Sequence, residues 1–436
     1  MLAEKPDQLF APPVSRALED FTRWLDRFGE TSFDHQSFFA GALGGKAKAL
    51  YYKNKLLGTA AVAPMIFSEA FVPAARHLFH IPMRFPIADA HYAMGFAFLY
   101  QASGEDGHLR RAKHFLRELQ KSRAPGFSEY CWGYPFDWVT RNGTIKAHTP
   151  FITSTPYGWE AFLQVHRLEP DNEWLAALKS IARHAANDIK DYPVSAAASS
   201  CSYSPFEEPG VINASAYRAF LLTSAAQLFD DNRYAGIAER NLAFVLENQN
   251  ADGSWFYAVD GVRDFVDHFH TCFVMKALAK IHTLTGNPAI LQALARGVDY
   301  YLANLFDADG LPKPFAKSPR MTVYKRELYD CAESINLCLL LRRRFPQLDA
   351  KLQVVVTGIL RGWVKPDGSF RSRQLKFGWD NVPMHRWGQS QIFRALAYYV
   401  CESVRRTDGE RHRTGNGASD DRARALGTQR PSSPVL

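Results

Sequence analysis

Five side chains in this sequence stand out because each sits at a loop or helix start among aromatic rings: Asp137, Asp267, His270, Glu333 and Asp380. Two carboxylates, one protonated and one ionised, are what hydrolysis of a glycosidic bond requires. A histidine beside an aspartate can instead hold and move a single proton. The densest cluster is "DFVDHFHTCF", where Asp264, Asp267, His268 and His270 fall within seven residues. Its spacing matches neither H-E-x-x-H nor a helical i, i+4 ligand pair, so no metal is expected there. Asp267 suits a helix N-cap that accepts from the backbone N–H of His270. It equally suits a partner that orients the His270 imidazole, and His268 is peripheral.

Three further stretches carry binding groups. "SEYCWGYPFDWVTRNG" sets Trp132, Tyr134 and Trp138 around Asp137, either as a platform for sugar rings or as an apolar staple under the loop. "YKRELYDCAES" brings Tyr329, Asp330 and Glu333 together. Asp330 could cap a helix with Glu333 at the capping-box distance, yet a carboxylate on an otherwise apolar helix is costly without a function. "FGWDNVPMHRWGQS" offers Asp380, His385, Arg386, Trp387 and Gln389. Arg386 could grip a substrate carboxylate with two hydrogen bonds, or pair with a neighbouring loop. The tyrosines and histidines (Tyr134, Tyr329, His270, His385) with Arg386 also compose a cast for removing the proton α to a uronate carboxylate.

These residues need a scaffold, and the sequence repeats. Asp-Gly turns recur at 252–253, 309–310 and 367–368, about 57 and 58 residues apart, with Asn142-Gly143 as an apparent earlier member. Between turns, a helix apolar on all sides precedes one that is charged on a single face. "NASAYRAFLLTSAAQLF" followed by "NRYAGIAERNLAFVLENQ" shows the pair. Six inner-type helices begin near Ala88, Ser154, Asn213, Phe269, Asp330 and Trp387. Five have an outer-type successor, and the N-terminal "VSRALEDFTRWLDRFG" can supply the sixth. The expected fold is all-α: an (α/α)6 toroid over residues 1–405 with short β or irregular loops at its rim, and a disordered tail over 406–436.

Composition sets the remaining bounds. The 436 residues are 47% hydrophobic and 22% charged, with a formal net charge of +8, which describes a globular, basic chain. Six scattered cysteines without a C-x-x-C pair read as buried free thiols. The N-terminus lacks the basic and apolar regions of a signal peptide, so a cytoplasmic location is expected. The stretch "LLGTAAVAPMIFSEAFVPAA", residues 56–75, carries Glu69 and two prolines. It is expected to be a buried helical pair, with contact to a membrane surface as the alternative.

"NADGSWFYAVDGVRDFVDHFHTCFVMKAL", "CWGYPFDW" and "RWGQSQIFRALAYY" resemble segments of bacterial proteins associated with polysaccharide biosynthesis, within the six-hairpin glycosidase-like (α/α)6 group. The resemblance runs over roughly residues 80 to 405 and adds Trp255 and Tyr257 to the substrate-binding candidates. His268 and Cys272 stand where those proteins have Asn and Gly. It implies a carbohydrate-active enzyme that cleaves or modifies a bacterial glycan in a central aromatic-lined funnel, without cofactor. A uronate lyase or C5-epimerase is the second reading, and a non-catalytic glycan-binding scaffold the third. The implied partner is an oligosaccharide or polysaccharide, acidic ones included, and not nucleic acid. Association with a lipid-linked glycan at a membrane surface fits the same setting.

Overall fold

A computed structural model describes residues 6–319 and 321–415; for 6–11 and 407–415 only the helical backbone is described. The chain opens with α1 (Pro6–Phe28), a short α2 (Ser37–Ala40), then α3 (Ala42–Lys53) and α4 (Lys55–Phe71), and a 3-10 turn over Pro73–Leu78. Five helical hairpins follow. They are α5 (Pro86–Ser103) with α6 (Asp106–Lys121), α7 (Thr155–Leu168) with α8 (Asn172–Asn187), and α9 (Ile212–Phe229) with α10 (Asn232–Glu247). Next come α11 (His268–Thr285) with α12 (Pro288–Asn304), then α13 (Leu328–Leu341) with α14 (Gln347–Gly362). The last helix is α15 (Ser390–Gly415). The expected boundary at 405 falls inside α15, and residues 416–436 of the expected tail lie outside the described residues.

The first helix of each hairpin is buried on all sides, as its uniform apolarity requires. In α9 even Arg218 is buried, its guanidinium satisfied by Asp191, Asn241 and backbone carbonyls. The second helix shows a core-facing stripe, in α10 Tyr234, Ala238, Asn241, Leu242 and Val245. Outer helices start on side-chain caps: Asp171, Asp231 and Asn287 each accept from the N–H two residues on. Consecutive inner helices pack on one another and α15 packs on α5, so the ring closes. Helix α1 lies on α14 and α15 in the sixth outer place, as the sequence pattern predicts.

Short antiparallel strands pair in the loops that precede inner helices. They are β1 (Trp138–Thr140) with β2 (Gly143–Ile145), β3 (Asp191–Pro193) with β4 (Ser199–Cys201), and β5 (Val266–Asp267) with β6 (Phe315–Lys317). A three-stranded sheet runs β7 (Tyr324–Glu327), β8 (Arg373–Leu375), β9 (Trp379–Asp380) in that order. Asn142-Gly143 belongs to the tip of the β1–β2 hairpin, where Thr140 pairs with Gly143. It is therefore not a member of the Asp-Gly series, because its role is to reverse a strand. In the true series the aspartate accepts from the N–H two residues on, as Asp367 does from Ser369. The 252–253, 309–310 and 367–368 turns tuck against the next outer helix, α12, α14 and α1 in turn.

Two sequence expectations meet the structure differently. All six cysteines are buried and free. The stretch 56–75 is helical but not buried: Leu56 is 83% and Phe67 60% exposed. The hairpin of α3 and α4 stands outside the ring, so beyond its contacts with α2, α3, the 3-10 turn and Phe377 much of the apolar surface of α4 is left uncovered. Among the described residues no helix is long and apolar enough to cross a membrane.

Gly368 has φ +94°, and a Cβ there would lie 2.5 Å from the carbonyl oxygen of Asp20 in α1. Gly368→Ala is expected to lower stability by about 2–4 kcal/mol, since left-handed strain adds to an overpacked backbone contact. Gly104→Ala, at φ +75° in open space, should cost only about 1 kcal/mol. Urea unfolding of the two variants checks the difference.

Candidate active site

At the ring centre each inner helix, or the loop leading into it, contributes a ring side chain to one continuous belt. His91 of α5 lies 4.5 Å from Tyr157 of α7, which lies 5.6 Å from Tyr217 of α9. Tyr217 continues to Phe273 of α11 at 5.3 Å, and Phe273 to Tyr329 of α13 at 6.1 Å. Tyr329 stacks on Trp387 at 4.4 Å with the planes 7° apart. Trp387 reaches this place through a kink before α15, where Gly388 takes φ +135°. The kink is held by the Gln391 side chain, which accepts from Gly388 N–H and donates to the Arg386 carbonyl.

Deeper in the ring lies a charged layer that composition alone does not reveal. Lys276 pairs with Glu333, Lys280 pairs with Glu160, and Arg394 stands 3.7 Å from Glu160. All five side chains are buried. Burial works to raise the Glu160 carboxyl, but Lys280 and Arg394 beside it hold it below its usual range. Burial pulls Lys280 down to about 8 against the opposing pull of Glu160. Tyr157 links the layers: its hydroxyl meets that of Tyr217 at 2.5 Å, and Lys276 and Arg394 each lie 5.8 Å from its ring.

On the rim side of the belt is the Asp267–His270 pair. Strand β5 pairs with β6 and so fixes Asp267 as the N-cap of α11. Its Oδ1 accepts from the His270 backbone N–H at 2.8 Å, and its Oδ2 lies 2.6 Å from His270 Nδ1. The two roles expected of Asp267 coexist, one on each carboxylate oxygen. Asp267 is buried, whereas the His270 side chain keeps 20% of its surface exposed. Nε2 has no hydrogen-bond partner among the described residues, and the ring is walled by Tyr257 at 4.6 Å and Phe269 at 4.3 Å. A hydrogen bond from Nδ1–H to Asp267 leaves Nε2 as the proton acceptor, turned to solvent.

Most other candidates are committed elsewhere. Trp132 and Trp255 are buried, and their indole N–H groups donate to the carbonyls of Leu119 and Val245. They staple loops onto outer helices, because a large ring that also closes a helix end packs better inside than out. Asp137 sits half-exposed in the β1–β2 hairpin, held by Lys146 at 3.0 Å and by the Ala147 N–H. Asp380 is buried against Arg76 at 2.8 Å. His385 is buried between the Tyr92 hydroxyl and the Gly29 carbonyl, tying α15 to α1. Gln389 bonds both backbone groups of Phe370. Arg386 grips Asp34 with two hydrogen bonds of 2.9 and 2.7 Å, so its carboxylate partner is internal.

Asp330 caps nothing. The N-cap of α13 is Glu327, and both Asp330 oxygens are buried without a hydrogen bond among the described residues. Burial, then Glu327, Asp267 and Glu333, push its carboxyl well above the usual carboxylate range. Glu333 is wholly buried in its pairing with Lys276. His268 is fixed by Tyr301 and the Leu305 carbonyl, and burial pulls it down to about 3. Still partly exposed are Tyr134, Trp138, Tyr257 and Trp387, with Arg386 lying 4.4 Å over the Tyr134 ring. No group of three or more His, Cys, Asp or Glu among the described residues could hold a metal ion.

This double ring has known counterparts. Cellobiose 2-epimerase from Bacillus thermoamylovorans superposes with a TM-score of 0.58 at 10% identity, over 73% of this chain and 88% of the epimerase. A possible GH105 member from Salmonella enterica gives 0.58 at 12% identity, over 90% and 94%. The GH76 α-mannanase of Bacteroides thetaiotaomicron gives 0.52 at 10% identity, over 74% and 88%. The fold is an (α/α)6 toroid. No protein-family model and no curated protein sequence matches the chain.

The toroid's belt and charged layer include Tyr157, Tyr217, His91, Glu160, Lys276, Lys280 and Arg394, which the loop-centred sequence reading misses. A signal for them exists. Lys276 and Lys280 are four apart in a helix otherwise apolar all round, so they share one face and need counter-charges.

Breaking one member of a buried pair strands the other charge. Lys276→Met is expected to cost about 3–5 kcal/mol, and Lys276→Met with Glu333→Leu to recover most of it. Chemical denaturation of the single and double variants measures both. Acid should also weaken the toroid. Burial pulls His385 down to about 4, so below about pH 6.5 the unfolded chain binds a proton that the native state refuses. Its contribution is complete above pH 6.5 and is lost as pH falls towards 4, about 3 kcal/mol in all. His35 and His268, both pulled down to about 3 by burial, act in the same sense. Urea midpoints at pH 7 and pH 4.5 should show the loss, and His385→Gln should reduce it by about a third, His35 and His268 supplying the rest.

Proposed function

We propose that the protein is a carbohydrate-active enzyme of bacterial surface-glycan metabolism in which His270, oriented by Asp267, transfers a proton at a sugar carbon. The observation that carries this reading is the pair itself, with Nδ1 2.6 Å from a buried carboxylate and Nε2 unpartnered in a partly exposed ring. A buried aspartate fixes the tautomer and stabilises the imidazolium that forms when Nε2 takes a proton. The electron pair left on carbon moves onto an adjacent carbonyl or carboxylate oxygen. Protonation of the opposite face by solvent, with His270 releasing its proton to water, yields an epimer; expulsion of a β-oxygen, which takes the proton from His270, yields an unsaturated sugar. Trp387, Phe269 and Trp138 supply apolar faces for the sugar rings.

Two-carboxylate hydrolysis has less support. Asp137, Asp267, Glu333 and Asp380 are each engaged by a cation, a backbone N–H or an imidazole, and Asp330 has no exposed surface. Arg386, gripping Asp34, is likewise not assigned to a substrate carboxylate. The names of structurally similar proteins span a cellobiose 2-epimerase, a polysaccharide lyase and glycoside hydrolases. The first two kinds agree with proton transfer at carbon. The substrate is read as an oligosaccharide or polysaccharide, handled in the cytoplasm.

Incubation with oligosaccharide panels in D2O separates the readings. Proton transfer is expected to place deuterium on a sugar carbon, or to give a product absorbing in the ultraviolet. His270→Gln should abolish it. Asp267→Asn should lower kcat by about 10²–10⁴-fold with little change in KM. New reducing ends with neither deuterium on carbon nor ultraviolet absorbance would sink the proposal in favour of hydrolysis.

A further inference from the structure

Helices α3 and α4 form a hairpin that the toroid does not need for closure. Its contact surface is apolar to a degree a soluble face does not explain: Leu43, Leu56, Leu57, Ile66, Phe67 and Phe71 are all exposed. Helix α4 is apolar on every side, with Lys55, Thr59, Ser68 and Glu69 as its only clearly polar side chains. Such a helix is ordinarily enclosed, yet here one side meets α3, its C-terminal end meets the rim, and much of the remainder meets solvent. Along most of the hairpin the chain carries charge of one sign. From His35 to Ser68 there is no aspartate or glutamate, while Lys46 lies in the first half of α3 and Lys53 and Lys55 flank the hairpin turn at Asn54. Lys55 lies 3.7 Å over the ring of Tyr51 beside that turn.

The base of the hairpin is anchored to the rim. Glu69 pairs with Arg373 at 2.6 Å, and Arg76, just beyond α4, pairs with Asp380. Phe71 stacks on Phe377 in the β8–β9 loop, and Gly45 meets Val139 of β1. The hairpin therefore stands beside the loops that enter the second and sixth inner helices, on the same side as His270.

We infer that α3 and α4 dock the protein on an anionic lipid bilayer, with α4 lying in the interface and the lysines on the headgroups. Apolar side chains entering the acyl boundary supply hydrophobic burial, and Lys46, Lys53 and Lys55 supply attraction to anionic lipid. At about 25 Å, α4 is too short and too interrupted by Pro64 to span, so it lies on the surface. This goes beyond the proposed reaction and does not rest on it, since docking is read without turnover.

Sedimentation with vesicles tests it, using the full chain. Wild-type protein is expected to pellet with phosphatidylcholine vesicles containing about a third phosphatidylglycerol, to bind pure phosphatidylcholine far less, and to release at high salt. Lys46→Glu with Lys53→Glu and Lys55→Glu should weaken binding by about 100-fold or more. Leu56→Glu with Phe67→Glu should abolish it, with an unchanged circular-dichroism melt, as both side chains are exposed. Light scattering without vesicles supplies the other arm. Wild-type protein left in the supernatant with anionic vesicles overturns the inference. A dimer that Leu56→Glu with Phe67→Glu dissociates, with no vesicle binding, overturns it in favour of a second copy of the chain.

Discussion

Six helices that are apolar on every face have to be enclosed from both sides, and this constraint governs the whole molecule. A single layer would leave one face of each in water. Bending the layer until α15 meets α5 lets each inner helix touch two inner neighbours and an outer partner. The seam is tight: Gly95 of α5 lies against Phe393 of α15, where a Cβ would come 2.6 Å from the ring. Helix α1, first in the chain, covers the last inner helix, so closure joins the two ends of the sequence. His385, bonded to the Gly29 carbonyl and to Tyr92, locks that seam with buried hydrogen bonds.

Closure also dictates the chemistry of the centre. Charged groups on the inner faces have little water to turn to, so most close on an opposite charge from another helix. Lys276 with Glu333, and Lys280 and Arg394 with Glu160, satisfy this across four inner helices. The aromatic belt above them separates this paired layer from the rim. At the rim stands the His270 imidazole, its Nε2 unpartnered among the described residues, held by a carboxylate that is itself fixed by a helix start and a strand. The same economy explains why so many acidic and basic candidates became structural. A charge buried by the ring closes on the nearest opposite charge, as Asp380 does on Arg76 and Arg386 on Asp34.

The helical architecture was legible because it rests on local, periodic signals. All-round apolar segments, one-sided charged segments and Asp-Gly turns locate the inner helices, the outer helices and the turns between hairpins, with small shifts at the ends. The Asp267 cap was legible for the same reason, since the capping bond spans only three residues. Asn142-Gly143 misled because a strand reversal and a helix-to-loop turn use the same dipeptide. Residues 56–75 misled because apolarity states that a surface will be covered, not by what.

By itself, then, the sequence determined the repeat, the order of inner and outer helices, the closing role of α1 and the juxtaposition of Asp267 with His270. These depend on spacing along the chain. Only the tertiary structure decided which candidates keep an open atom. Trp132 and Trp255 were turned inward, Arg386 was matched with a residue about 350 positions away, and Lys276 and Lys280 were set against Glu333 and Glu160. Whether a polar side chain is satisfied internally or left for a ligand depends on what a closed ring brings to its other side. That information is not carried by any stretch of sequence taken alone.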